Sequence, residues 1–170
     1  MIDRIKSHPI LGKFTRDNCS ENDVSARVDD RIHKGQYVIV KPDDYYNSLK
    51  GKVPPSVDCL VVQRCADGEY KLTLIELKNI SSMGHQTIDN LMGKFKITLT
   101  NFIQVRFKDL LYYDYKNIEL YFITEIELYR NKTRDIGLKL DALINYRFIY
   151  NGKRYMVQPR MPTPVIKPCY

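Results

Sequence analysis

The sequence predicts an α/β fold, a mixed central sheet flanked by helices, on three observations. Apolar, β-branched runs of strand length recur along the chain; a single long stretch has helical periodicity; and short turn signals join neighbouring runs into hairpins. The 170 residues are 44% hydrophobic and 28% charged, which suits a packed domain rather than a disordered or fibrous chain. No internal repeat, low-complexity tract or Gly/Ser linker divides them, so residues 1–170 read as one domain.

Taken in order, Ser20-Glu21-Asn22-Asp23 resembles a capping box, and Val24, Val28 and Ile32 follow at helical spacing, which predicts a first helix from about Glu21 to Lys34, ended by Gly35. Gln36–Lys41 is a short β-rich run closed by Pro42, and Asp43–Pro55, dense in Asp, Asn, Ser, Gly and Pro, reads as a loop. Val57–Gln63 is almost continuously apolar, as in a strand buried on both faces. Across the turn residues Ala66, Asp67 and Gly68 a second strand, Tyr70–Lys78, completes a hairpin. Residues 84–103 place Ile88, Leu91, Met92, Phe95, Leu99, Phe102 and Ile103 on one face of a long helix. Ile118–Ile126 reads as a central strand and Gly137–Ile144 as a short helix. Tyr146–Tyr150 and Lys153–Gln158 flank Asn151-Gly152, the pair a type I′ turn needs because both central residues take positive φ. This basic hairpin, at about 146–158, leads to an extended Pro-rich arm at about 159–170, where prolines deny the backbone regular pairing.

The 27 Lys and Arg exceed the 20 Asp and Glu by seven charges, a surplus that favours a polyanionic partner. No apolar run reaches the ~20 residues of a membrane-spanning helix, and the amino terminus has no uninterrupted apolar segment of the signal-peptide kind, so a cytoplasmic or nucleoid-associated, non-secreted protein is expected. Cys19, Cys59, Cys65 and Cys169 contain no C-x-x-C pair and read as reduced, structural thiols. His8, His33 and His85 lack metal-ligand spacing, and no G-x-S-x-G, P-loop or G-x-G-x-x-G is present.

Charge inside strands that want burial is the feature that points to chemistry. Asp58 interrupts the first limb of the hairpin, and Glu76 and Lys78, two apart and so on one face, end the second. Counted from the turn, Asp58 and Glu76 come within side-chain reach. Two such carboxylates suit a hard divalent cation, and an adjacent ammonium can orient an attacking water or offset charge on a phosphate oxygen. A second E-x-K triplet, Glu69-Tyr70-Lys71, abuts the turn, where both charges are expected to be solvated.

Val57-Asp58 on one strand and Ile75-Glu76-Leu77-Lys78 on the next, followed by a long helix, resemble the PD-(D/E)XK nuclease superfamily, whose members include restriction enzymes, junction resolvases and homing endonucleases. The likeness spans about residues 20–126 and implies a restriction-endonuclease-like core. It implies that Asp58 and Glu76 bind the metal, that the Leu77 carbonyl adds a ligand, and that Lys78 assists the nucleophilic water. Glu21, with Asp29 or Asp30 as substitutes, stands where some members carry a further acidic residue, and Gln86 where many carry a supporting glutamine. His33 stands as a minor variant ligand, as in RNA-cleaving viral relatives. Val57 occupies the place of the family's proline, with Pro54 and Pro55 upstream.

The resulting expectation is a Mg²⁺-dependent endonuclease, with Mn²⁺ able to substitute, that hydrolyses double-stranded DNA in a restriction, homing or junction-resolving role. Cutting both strands calls for a homodimer or homotetramer. Lys94 and Lys96 on the long helix, and Arg147, Asn151, Lys153, Arg154 and Arg160 near the carboxy end, are the expected DNA contacts. The alternatives are a non-catalytic nucleic-acid-binding module using the same basic surface, and an RNA endonuclease of the same superfamily.

Overall fold

A computed structural model of the chain describes residues 1–21, 24–51, 53–78, 85–124, 143–160 and 163–170. Helix α1 (Ile2–Ser7) buries Ile2 and Ile5 and leads through a 3-10 turn into β1 (Thr15–Arg16). The helix expected over 21–34 is absent; its place is taken by an antiparallel hairpin of β2 (Cys19–Glu21) and β3 (Val24–Val28). Val24 and Val28 are four apart, as in a helix, but Val24, Ala26 and Val28 also fall at period two. The strand prevails because it lays Val24 and Ala26, both buried, against the central sheet.

After β4 (Tyr37–Val40), Pro42 does more than close the strand. It opens α2 (Pro42–Asn47), with Asp43 and Asp44 in the first turn, so the expected 43–55 loop begins as a helix that buries Tyr45 and Tyr46. Proline lacks only an N–H that has no helical partner there, and the acidic pair suits the helix dipole. The hairpin of β5 (Cys59–Arg64) and β6 (Tyr70–Lys78) forms as the sequence predicts, in register from Cys59 opposite Ile75 to Arg64 opposite Tyr70. Helix α3 (His85–Ile97) runs on into a π-helical stretch, Thr98–Arg106, and the short α4 (Lys108–Leu111). This helical crossover delivers β7 (Asn117–Thr124) parallel to β6. Residues 125–126 of the expected strand and 137–142 of the expected short helix lie outside the described residues; Leu143–Asn145 are helical.

The carboxy-terminal hairpin, β8 (Phe148–Tyr150) and β9 (Lys153–Tyr155), turns at Asn151 (φ 50°) and Gly152 (φ 71°), as a type I′ turn requires. It is shorter than expected, because β10 (Val157–Arg160) leaves it to pair parallel with β7. Pro159 is tolerated in β10 because that strand forms the edge of the sheet. The arm also pairs: β11 (Val165–Ile166) lies parallel to β3, between prolines that were expected to prevent it.

The main sheet has the order β1-β4-β5-β6-β7-β10, and a three-stranded sheet has the order β11-β3-β2. Alternation divides the core. Leu60, Val62, Leu72, Leu74, Leu120 and Phe122 face the helices, where they meet Phe95, Leu99 and Phe102. Ile39, Val61, Ile75, Leu77 and Ile123 face the small sheet, where they meet Val24, Ala26 and Ile166. The cysteines are not reduced thiols: Cys19 bonds to Cys59 and Cys65 to Cys169, because strand packing brings each pair within bonding reach. Lys71 of the second E-x-K triplet is buried rather than solvated and pairs with Glu119 at 2.7 Å, while the Tyr121 hydroxyl donates to the same carboxylate at 2.6 Å. Among the described residues no helix is long and apolar enough to cross a membrane.

Phe102 is fully buried between the rings of Tyr45, Tyr46 and Phe107. Replacing it (Phe102→Ala) is expected to lower unfolding stability by about 3–5 kcal/mol in urea titration.

Candidate active site

The register of β5 and β6 builds the centre of the site. Cys59 opposite Ile75 makes Asp58 and Glu76 the next facing pair, on the helix-covered side with Leu60 and Leu74. Both are buried, at 4% and 2% exposure. The ladder ends there through a side chain: the Leu77 N–H donates to Asp58 Oδ2 at 2.6 Å. The chain entering β5 is fastened to the helix, since the Val57 N–H donates to Thr98 Oγ1 at 3.1 Å and that hydroxyl donates to the Lys94 carbonyl at 2.8 Å. Lys94 Nζ meets Glu76 Oε1 at 2.5 Å. Glu76 Oε2 and Asp43 Oδ1 are buried with no hydrogen-bond partner, a costly state for carboxylate oxygens.

Two further acids reach the same end of the sheet. Glu21 closes β2, and Asp43 sits in the first turn of α2, just beyond β4. Their carboxylate oxygens and one of Asp58 all lie within 4.8 Å of one another. A cleft of about 330 Å³ opens over this cluster and is lined also by Lys94 and Pro55. On the other side of Lys94 a smaller hollow of about 130 Å³ is lined by Glu76, Lys78 and Asn90. Lys78 is exposed there, while Lys94 is half-buried between the two openings.

Burial raises the affinity of Asp58, Glu76 and Asp43 for protons. Asp58 is pushed up to about 8 by burial and then by the charge of Glu76, against the opposing pull of Lys94 and of the Leu77 N–H. Burial also raises Glu76, in spite of Lys94, and raises Asp43, in spite of Lys41. For Lys94 burial acts downward, but Glu76, Asp58 and Glu21 outweigh it and hold the ammonium charged. Lys94 pairs directly with Glu76, and the charges of Lys41 and Lys78 act on Asp43 and Glu76 respectively. The candidate ligands are oxygens only, and one of them, Asp43 Oδ1, is unpartnered, as is Glu76 Oε2 beside the cluster; an all-oxygen set would suit a hard cation better than zinc.

Of the residues singled out in the sequence, Asp58 and Glu21 line one opening and Glu76 and Lys78 the other, with Lys94 on both, although Glu21 arrives on a strand rather than a helix. The Leu77 side chain points to the opposite face, and its N–H is what meets Asp58. The Gln86 side chain lies outside the described residues. Asp29 is held by Arg31, whose hydrogen bonds lower it to about 2, and neither it nor Asp30 joins the cluster. His33 is also apart, opening the 3-10 turn Lys34–Gln36, and His8 Nδ1 accepts from the Leu11 N–H at 3.0 Å.

Lys94, expected as a DNA contact, pairs with Glu76. Lys96 shares a cleft of about 200 Å³ with Tyr146, Ile149 and Tyr150. Asn151 accepts from the Gln104 amide at 3.0 Å, Lys153 reaches Asp114 at 3.4 Å, Arg147 donates to the Ile144 and Tyr146 carbonyls, and Arg154 is exposed. Arg160 lies over the Tyr121 ring, on the face of the sheet away from Asp58 and Glu76. Asp43 was missed in the sequence because it was read as loop; proline followed by two acids is the signal that marks its helix start.

No family model matches the chain, and neither a curated protein nor a solved structure does.

The raised proton affinity of Asp58 has a definite sign. Its ordinary value is 3.8 and its folded value about 8, so the folded chain holds a proton that the unfolded chain releases, and stability falls as pH rises between those values. Asp58→Asn keeps an oxygen for the Leu77 N–H without that loss. Urea titrations free of divalent cations are expected to give near-equal stabilities at pH 4 and a variant more stable by about 1–3 kcal/mol at pH 8.

Proposed function

We propose that the chain is a Mg²⁺-dependent endonuclease of the PD-(D/E)XK kind, acting on double-stranded DNA. The observation that carries the reading is the facing pair Asp58 and Glu76, with Lys78 on the same strand face as Glu76 and two further acids converging beside them. In this reading Asp58, Glu21 and Asp43 would hold the cation, with Glu76 beside them across the β5–β6 pair. When bound, magnesium supplies positive charge to a phosphate oxygen and acidity to a water. Lys78, exposed at the rim of the hollow beside Glu76, orients the attacking water and offsets charge on the scissile phosphate. Lys94 pairs with Glu76 and opposes the effect of burial on it. The net charge of +7 draws in the polyanion.

Cleavage of both strands requires two such sites, and a two-fold dimer, or a pair of dimers, is the arrangement we propose for it. We also propose a cytoplasmic or nucleoid-associated setting. There the two disulfides face a reducing dithiol pool, so their oxidation state becomes a variable of the protein rather than a constant.

The test is incubation with supercoiled plasmid, branched DNA and RNA, with Mg²⁺, Mn²⁺ or chelator. Wild-type protein is expected to nick duplex DNA only with the cation. Glu76→Gln and Lys78→Ala are expected to lower the rate at least about 100-fold while salt-sensitive DNA binding stays within about threefold. Cleavage of RNA in preference to DNA points instead to an RNA endonuclease. Binding with no cleavage of any substrate identifies a nucleic-acid-binding module whose ion cluster is structural.

A further inference from the structure

We infer that the Cys19–Cys59 disulfide positions Glu21 against Asp58, so that the cation affinity of the acidic cluster follows the oxidation state of that bond. The inference rests on the cation-site reading above and adds its control. Cys19 and Glu21 are two apart in β2 and so project from the same face of that strand, and Cys59 directly follows Asp58. One covalent bond thus joins the two backbone segments that deliver two of the three clustered carboxylates.

β2 needs such a fastening. It is the outer strand of its sheet, with β3 as its ladder partner, and among the described residues it makes no ladder with the main sheet. Glu21 is exposed, and its charge opposes ionisation of both Asp58 and Asp43. The disulfide ties the β2 end to the start of β5, next to Asp58. Cys65–Cys169 lies at the opposite end of β5, beyond Arg64, where it fastens the carboxy-terminal arm. It is an internal control. Reduction by a dithiol passes two electrons and two protons to Cys19–Cys59, yielding two thiols while the reductant closes to its own disulfide. The β2 end is then free to move away from Asp58.

The experiment is calorimetric titration of Mn²⁺, without nucleic acid, into the full chain: wild type oxidised, wild type reduced and freed of dithiol under anaerobic conditions, Cys19→Ser/Cys59→Ser, Cys65→Ser/Cys169→Ser, and Glu21→Gln. Far-ultraviolet circular dichroism reports folding in each case. Reduction of the wild type and Cys19→Ser/Cys59→Ser are each expected to weaken Mn²⁺ binding about tenfold, and Cys65→Ser/Cys169→Ser to leave it unchanged. Glu21→Gln is expected to weaken binding about tenfold in the oxidised chain and to cause no further loss once the bond is reduced, because the acid has already left the cluster. Should the serine pair fail to fold, the oxidised and reduced forms of wild type and Glu21→Gln carry the same comparison. Equal affinity of oxidised and reduced wild type, or additive losses from Glu21→Gln and reduction, overturns the inference alone. Absence of Mn²⁺ binding by the oxidised wild type overturns the cation-site reading and the inference together.

Discussion

Gathering several carboxylates at one end of a sheet, two of them buried, is the constraint around which this molecule is arranged. The β5–β6 register sets Asp58 across from Glu76, and the same alternation that aims Leu60 and Leu74 at the helices aims these two acids there as well. Chain direction does the rest. β4 ends, β5 begins and β6 ends at one edge of the sheet, so whatever follows β4 or precedes β5 is delivered to the same place. Asp43 arrives by that route, and Glu21 reaches the site from the small sheet. Burial is the main cause of the raised proton affinities of Asp58 and Asp43, and the neighbouring acids, Glu76 for Asp58 and Glu21 for both, add to it.

What offsets the repulsion is limited and local. Lys94 meets one oxygen of Glu76, the Leu77 N–H meets one oxygen of Asp58, and Glu76 Oε2 and Asp43 Oδ1 have no partner. A cluster built only to stabilise the fold is expected to satisfy its own oxygens, because orphaned buried acceptors cost more than they return. The imbalance at this site makes sense when the missing positive charge comes from outside the chain, and that is why the proposed cation is placed here and not at Glu119. The Glu119 carboxylate already has Lys71 and the Tyr121 hydroxyl.

The parts of the structure that were legible in the sequence are those whose signal is local and long. Tyr70–Lys78 is a strand over the expected residues, the helix begun near 84 runs on through 106, and Asn151-Gly152 turns as its residue types demand. The facing of Asp58 and Glu76 was legible too, because one short turn sets the register of a hairpin. The β2–β3 hairpin was not, since valines four apart satisfy both periods and only the sheet beneath them decides. The disulfides were hidden for the same reason: Cys19 and Cys59 are 40 residues apart, and β2 lies over β5 only after the small sheet has formed. Parallel pairing of β11 with β3 depends on a neighbour more than a hundred residues away, which local propensity does not encode.

The two lysines of the site divide its work by depth, and that division bears on how the proposed reaction proceeds. Lys94 is fixed by the 2.5 Å contact with Glu76, and a nearby hydroxyl, Thr98, bonds its carbonyl; an ammonium so held neutralises a permanent charge and has little freedom to follow a substrate. Lys78 is exposed at the last residue of β6, beyond the point where the β5–β6 ladder ends. A long flexible side chain at a strand end can follow a phosphate as it approaches and withdraw as it leaves. Removing Lys94 is therefore expected to act on the folded state, through an unpaired buried Glu76, whereas removing Lys78 is expected to leave the fold intact and, in the proposed reaction, to act on the encounter with the polyanion. Variants at the two positions separate the structural from the catalytic share of positive charge at the end of one sheet.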